Sequence, residues 1–383
     1  MSTPLVDVLI PAYNSESTIR ESVQSILGQT FKDIRVHVVN DGSKDGTKAI
    51  LDDMSAADER LKVYTKENGG IVDALNYGLK YCTAAYLARH DGDDIAYPER
   101  FARQIEYLNA NPDCVAVGCQ VRHINAKGEP TGSTSDVVSP EMSNPYSFPA
   151  IEPYIIHPFL MTRREAVEKA GGYRFAHHCE DTDLYWRLQR IGRLHNLNDI
   201  LGEYRLHAES ISGSSLANGR LMAVFSQLTA ISEQRFRNNK PDIAFNKELI
   251  LAAKSKATFG EIIETCTMKA SLTAEEGTYL KAAACAKILE LVSYRPYDLE
   301  LSDAQYVGSV LGGCKEYKNE VLVRQLTGTA ANLVLKGRIK SGIALLSLKD
   351  MPPFLYRIVL RIMLPMTVRK KIRGLLGKTG PSK

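Results

Sequence analysis

The sequence holds little of several things, and each scarcity narrows what it can be. Its seven cysteines form no CxxC pair. An odd, scattered set of thiols argues against a disulfide framework or a structural zinc site and fits a reducing compartment. No run of about 18 uninterrupted apolar residues occurs, so no transmembrane helix is expected. The opening MSTPLVDVLIPAYN lacks the basic start and longer apolar core of a secretory signal. Acidic residues are missing from Met351 to Lys383, a stretch that holds eight Lys or Arg. The whole chain carries +4, so setting those eight aside leaves 40 basic against 44 acidic residues, a net of −4 for the first 350. A basic tail on a mildly acidic body points to an anionic surface as the tail's partner. Nucleic acid is not expected there, because no aromatic-rich stacking platform accompanies the charge.

What is present is the composition of a globular protein. With 44% hydrophobic residues in 383 positions, the chain can bury two or three cores of about 150 residues each. The first 125 residues alternate short apolar runs with helical patterns. VDVLI, IRVHVV, LKVYT, AYLAR and CVAVGCQVRH read as strands. NSESTIRESVQSILGQ, DGTKAILDDMSA, IVDALNYGLKYC and PERFARQIEYLNAN read as the helices between them, with Asn14 placed to cap the first. Such alternation predicts a doubly wound, mostly parallel sheet flanked by helices. Ligands bind such sheets beyond the carboxyl ends of the strands, and PAYN, NDGSKDGT and DGDD all fall there. Residues 126–156 read as a long loop or lid. FLMTRREAVEKAGGY and HCEDTDLYWRLQRIG add two helices, the second with Leu184, Leu188 and Ile191 as its apolar stripe. From about residue 215 the pattern is helical throughout, with four helices discernible. The expected division is 1–214, 215–350 and a basic amphipathic tail, 351–383.

Several groups in this frame have the chemistry of a site, and each has an ordinary alternative. Asp41 ends the second strand, where its carboxylate can accept from a planar N–H donor such as the imide of uracil; it can equally serve an Asp-Gly turn. Pro11 and Tyr13 can floor a base pocket or simply begin a loop. Asn68 and Gly69, opening NGGIVDAL, can bring backbone N–H groups near phosphate or form a plain turn. In an extended Asp91–Gly92–Asp93 the outer carboxylates share a side and can reach one divalent cation, a hard ion that prefers oxygen. Asp94 would then point away, toward backbone N–H groups. Glu180, Asp181 and Asp183 open a helix, where the dipole favours acidic groups and where one carboxylate can act as a general base. Arg205 can pair with phosphate and His207 can ligate a metal, although a solitary loop histidine usually does neither.

Taken in order, VLIPAYNSESTIRESVQSILGQT, VVNDGSKDGT, NGGIVDALNYGL, RHDGDDIAYPERF, EDTDLYWRL and YRLHAESIS resemble the family-two glycosyltransferases with the GT-A fold. The resemblance covers residues 5 to about 212 and does not extend into the helical segment. It implies a GT-A nucleotide-sugar-binding domain followed by an all-helical C-terminal domain. It implies base and ribose contacts from Pro11, Tyr13 and Asp41, donor contacts from Asn68 and Gly69, and a uridine donor. Asp91 and Asp93 match the family's DxD motif, with Asp93 the closer match to the metal ligand, Mn²⁺ or Mg²⁺, and His207 an added one. Asp181 falls where the family keeps its catalytic base. One departure is visible: Leu75 stands where many members have an arginine, so Arg205 or backbone would have to serve the diphosphate.

The activity so implied is inverting, metal-dependent transfer of a sugar from UDP to a hydroxyl of a growing surface glycan, such as lipopolysaccharide, capsule or a polyprenyl-linked oligosaccharide. The alternatives are a nucleotidyltransferase, which normally carries an N-terminal Gly-rich basic loop absent from IPAYNSEST, and a non-catalytic nucleotide-sugar-binding protein. FLYRIVLRIMLPMTVRKKIRGLLG carries apolar and basic residues at helical spacing, which suits peripheral contact with the inner face of the plasma membrane, or else packing of a terminal helix on the helical domain. A cytoplasmic location and a homodimer through the helical domain are further expectations. His157 and Trp186 are placed either at an acceptor cleft or in the core.

Overall fold

The computed structural model describes residues 4–136, 138–206, 215–314, 317 and 319–363. The strands are β1 (Val6–Ala12), β2 (Ile34–Asn40), β3 (Leu61–Thr65), β4 (Tyr86–Arg89), β5 (Ile95–Ala96), β6 (Cys114–Asn125), β7 (Pro130–Thr134), β8 (Met161–Arg163) and β9 (Arg193–Leu206). They form one sheet in the order β3–β2–β1–β4–β8–β6–β9–β5, with β7 paired to β6. From β3 to β4 every pairing is parallel. Beyond β4 the sheet is mixed: β8 runs antiparallel to β4 and β6, β6 and β9 are parallel, and β5 is antiparallel to β9.

The parallel half follows from alternation in nearly continuous apolar strands. In β1, Val6, Val8 and Ile10 face one way, onto Ile19, Val23 and Ile26 of α1 (Ile19–Leu27), Leu51 of α2 (Thr47–Ala57) and Phe101 of α4 (Arg100–Ala110). Leu9 faces the other way, into a core with Leu75 of α3 (Ile71–Leu79), Val167 of α5 (Arg164–Ala170) and Leu184 and Leu188 of α6 (Glu180–Gln189). Helices on both faces make this a doubly wound α/β sheet, as expected. Gly78 lets α3 lie close to the sheet, since a methyl group there would collide with Leu9 and Val39.

Some local readings need correction. Asn14 does not cap α1: the helix opens after Thr18, and Asn14 sits at φ 50 accepting from the Lys44 amide at 2.8 Å. Residues 126–156 are not all loop, for they contain β7 and a 3-10 turn at Pro140–Met142. The longest strand, β9, spans 14 residues and lies beyond the alternation read in the first 125. Trp186 and His157 are core groups, 1% and 8% exposed: Trp186 packs with Ala150 and Ala230, and His157 Nε2 meets the Tyr173 hydroxyl at 2.9 Å.

Two compact units divide the chain, Met1–Ile211 with Phe225–Ile250, and Ser212–Val224 with Leu251–Lys383. The changeover falls within α7 (Leu216–Arg237) and α8 (Lys247–Lys254). The later part of α7 belongs to the first unit through Gln227, which accepts from the Ala150 amide at 3.0 Å, and Glu233, which pairs with Arg190 at 2.8 Å. The second unit contains α9 (Phe259–Lys269), α10 (Ala274–Tyr294), α11 (Leu301–Gly313), α12 (Glu320–Leu335), α13 (Ile339–Ala344) and α14 (Met351–Met363). The stretch from Asn246 to Cys266 holds two helices rather than one because Thr258 and Glu261 form a capping box that starts α9 afresh. Thr273 and Glu276 do the same for α10. Within this unit Arg220 is held by Asp303 at 2.8 Å and Glu300 at 2.7 Å.

Candidate active site

The carboxyl ends of β1, β2 and β4 meet at one edge, with β1 between the other two. Pro11 lies in β1 and half-exposed Tyr13 just beyond it. At the end of β2, Asp41 is 3% exposed, and its carboxylate accepts from Lys66 Nζ at 2.7 Å, Gly69 N at 3.0 Å and Gly70 N at 2.8 Å. Asn68 Nδ2 donates to the Asp41 carbonyl at 2.9 Å. The Asn68–Gly69 loop is therefore organised around Asp41, and the Gly69 amide, expected to face phosphate, is directed at this protein carboxylate together with that of Gly70. Gly70, at φ 83, takes a backbone conformation that suits glycine. Lys66, which also pairs with Asp73 at 2.5 Å, is a residue the sequence did not single out. Leu75 is fully buried in the core.

After β4 the chain does not stay extended: Gly92 and Asp93 form a turn. This turn draws all three carboxylates together, with one ligand atom each from Asp91, Asp93 and Asp94 lying within 4.8 Å of one another. Asp94 does bond a backbone amide as anticipated, accepting from Arg205 N at 2.8 Å, yet its Oδ2 is buried without a partner. The turn is fixed from several sides. Thr18 Oγ1 donates to the Gly92 carbonyl at 2.9 Å and Ser22 Oγ to the Asp91 carbonyl at 2.6 Å. A side chain at Gly92 would press on Ile19 Cδ1 at 3.0 Å, so glycine keeps the turn against α1.

Arg205 has a different employment from the one expected. Its Nε donates to the Asp93 carbonyl at 2.7 Å, Nη2 pairs with Glu21 at 2.9 Å, and Nη1 lies 3.4 Å from the Asn125 and Ala126 carbonyls. Engaged on every nitrogen and 5% exposed, it clamps the acidic turn rather than facing a diphosphate. His207 lies outside the described residues.

Crowding shows in the electrostatics. Burial, then the charges of Asp93 and Asp181, push the Asp91 carboxyl up to about 6 against the pull of Arg89. Asp94 is raised well above the carboxylate range by burial and by its two neighbours. At the start of α6, burial and Asp181 push Glu180 up to about 8, and burial raises Asp181, whose Oδ1 accepts from Thr182 N at 2.7 Å. Asp181 helps to raise Asp91, and Asp91 helps to raise Glu180, so the α6 carboxylates lie within electrostatic reach of the acidic turn. Asp183, third of the acidic group, is structural: it is buried and gripped by Arg174 and Arg187. Arg89 is the other group the sequence left unremarked, although it directly precedes the acidic run. It pairs with Asp91, and its charge also bears on Asp181 and Glu180.

The family model described as Glycosyl transferase family 2 matches residues 7–171. A Haemophilus influenzae protein named as an uncharacterized glycosyltransferase is 34% identical over 218 residues, 55% of this chain and 68% of its own length. The chain belongs to glycosyl transferase family 2. This transferase is also similar to the Escherichia coli O-antigen biosynthesis glycosyltransferase WbnJ, at 30% identity over 56% of this chain and 84% of that protein. Among solved structures, S. aureus TarS 1-349 in complex with UDP-GlcNAc is similar over 88% of this chain and 89% of its own, at 16% identity and a TM-score of 0.48. That likeness is too loose to carry roles across.

Proposed function

We propose that this transferase moves a sugar from a UDP-sugar to a hydroxyl of a surface glycan, with inversion and with a divalent cation. The observation that carries the reading is the acidic turn. Three carboxylates within 4.8 Å, one of them with a buried oxygen lacking any partner, repel one another unless a positive charge joins them. All-oxygen donors suit Mg²⁺ or Mn²⁺, so the residues present fit such an ion. Asp93 and Asp91 would hold it, with Asp94 beside them, and it would supply charge neutralisation for the nucleoside diphosphate. Asp41, Pro11 and Tyr13 would contact the base and ribose.

Asp181 takes the proton of the acceptor hydroxyl as that oxygen bonds to the anomeric carbon. The bond from that carbon to the diphosphate breaks on the opposite face, so one displacement inverts the centre. Glu180, raised to about 8, is mostly protonated near neutral pH and leaves Asp181 as the base of the pair.

The E. coli relative named for O-antigen biosynthesis supports a surface polysaccharide as the acceptor class. Helix α14 buries Phe354 and exposes Leu355, Tyr356 and Val359, which supports peripheral contact of this end with an anionic membrane carrying a lipid-linked acceptor. No helix among the described residues is long and apolar enough to cross a membrane.

The test is UDP release, with Mn²⁺ present, from UDP-glucose, UDP-galactose, UDP-N-acetylglucosamine and UDP-N-acetylgalactosamine. One donor is expected to be hydrolysed slowly, and Asp181→Asn is expected to lower kcat about 1,000-fold with UDP affinity unchanged. Equal turnover in the variant removes Asp181 from the role of base.

A further inference from the structure

One buried charge has no part in the chemistry above. Arg89 ends β4, is 3% exposed, and has its backbone amide bonded to the Leu160 carbonyl at 2.9 Å. Its Nη2 pairs with Asp91, while its Nε and Nη1 are buried and meet no hydrogen-bond partner. An idle buried N–H costs about 1–3 kcal/mol, so two on one guanidinium are a poor arrangement for a group whose task is only to hold Asp91. The Oδ2 of Asp94 and the hydroxyl of Tyr185 are also buried and unsatisfied. Arg89 bears electrostatically on all of them, and on Glu180 and Asp181. It is thus a single cation acting on two carboxylate groups, with donors for one of them in use and donors to spare.

We propose that Arg89 is a positioning residue shared between the two carboxylate groups: it neutralises Asp91 while no divalent cation is present, and serves the Glu180–Asp181 pair once a cation takes Asp91. This rests on the reading of Asp91 and Asp93 as cation ligands. Two consequences have opposite signs. Arg89 competes with the cation for one carboxylate, so it weakens cation binding. It also keeps negative charge on the α6 pair, so it favours proton removal from the acceptor. Loading the donor end thereby readies the base end.

The experiment compares the whole wild-type protein with Arg89→Met and Arg89→Lys, measuring Mn²⁺ affinity in the presence of UDP by spin resonance, and kcat and KM for hydrolysis of the same four UDP-sugars. For Arg89→Met, Mn²⁺ should bind about tenfold tighter, because one positive charge has left an acidic cluster, while kcat falls about 100-fold and KM does not rise. A merely structural arginine would weaken both. Arg89→Lys keeps the charge without the span: Mn²⁺ affinity should stay within about threefold of wild type and kcat should fall at least about fivefold. Should Arg89→Met fail to fold, Arg89→Lys carries the test, and an unchanged kcat there overturns the proposal. Mn²⁺ bound equally or more weakly by Arg89→Met overturns it as well. A wild-type protein that binds no Mn²⁺ overturns the cation reading, and this inference with it.

Discussion

Two acidic clusters sit at opposite ends of the same sheet, and they are built in opposite ways. At the amino end of β1, Asp7 accepts from Arg35 Nε at 2.9 Å and Nη2 at 3.0 Å, from Thr83 N at 2.5 Å and Ala84 N at 2.8 Å, and meets His37 Nε2 at 3.0 Å. His37 in turn reaches the Tyr64 hydroxyl at 3.2 Å. Burial would raise the Asp7 carboxyl, but its hydrogen bonds win and hold it at about 2. Beyond the carboxyl end of β4, Asp91 has one arginine and two acidic neighbours, and it is pushed up to about 6. Cys82 beside Asp7 and His37 makes that first cluster look like a metal site by composition. Its carboxylate, though, is already saturated by protein donors. Acidity inside the fold marks a metal ligand only where partners are too few, as at the Oδ2 of Asp94, and not where protein donors saturate the carboxylate, as at Asp7.

The largest effect that sharpens this contrast is on stability. Asp7→Asn strands Arg35 and His37 and leaves Thr83 and Ala84 with a poorer acceptor, so unfolding should become about 3–5 kcal/mol easier, with UDP affinity retained in the protein that remains folded. Denaturant titration measures it, and a loss below about 1 kcal/mol would erase the distinction between the clusters.

A second, smaller effect lies in pH. Asp7 is depressed in the fold, so its stabilisation is complete above the ordinary carboxylate value of 3.8 and is lost as pH falls towards about 2. Asp91 is raised, so its contribution runs the other way. It costs nothing below 3.8 and destabilises progressively as pH rises through about 6. Between pH 4 and 7, Asp91→Asn should therefore flatten the fall in stability with rising pH by about 1–2 kcal/mol. Parallel slopes for wild type and Asp91→Asn would refute the assignment.

The smallest expected change is in Asp94→Asn. An amide can still accept from Arg205 N, and the repulsion from Asp91 and Asp93 disappears. Ligand-free stability should then stay equal or rise by up to about 1 kcal/mol, whereas Mn²⁺ affinity with UDP should fall. A clear loss of stability would make Asp94 a structural acid like Asp7.

Much of this was readable in the sequence because it is local. The strand and helix alternation needs only windows of a few residues, and Asp91–Gly92–Asp93 and Glu180–Asp181 declare themselves by crowding. What escaped depends on partners far along the chain. Asp7 finds His37 and Thr83 only through the pairing of β1 with β2 and the approach to β4. Lys66 is an ordinary surface lysine until β3 sets it beside Asp41. Arg89 looks like the end of a strand, and its two idle donors exist only because the fold buries them. Arg205 was assigned to phosphate by its basic charge, which is the same charge that suits it to gripping carbonyls and Glu21. The extended reading of the acidic run failed because Gly92 admits a turn that Thr18 and Ser22 hold in place.

That tie between Arg205 and the aspartates has a consequence for assembly. The stretch matched by the family model stops at residue 171, short of both Asp181 and the arginine that bonds Asp93 and Asp94 across intervals of 112 and 111 residues. During synthesis the chain cannot lock its acidic turn until β9 has emerged and docked. A fragment ending with the family match would carry the aspartates without the strand that pins them.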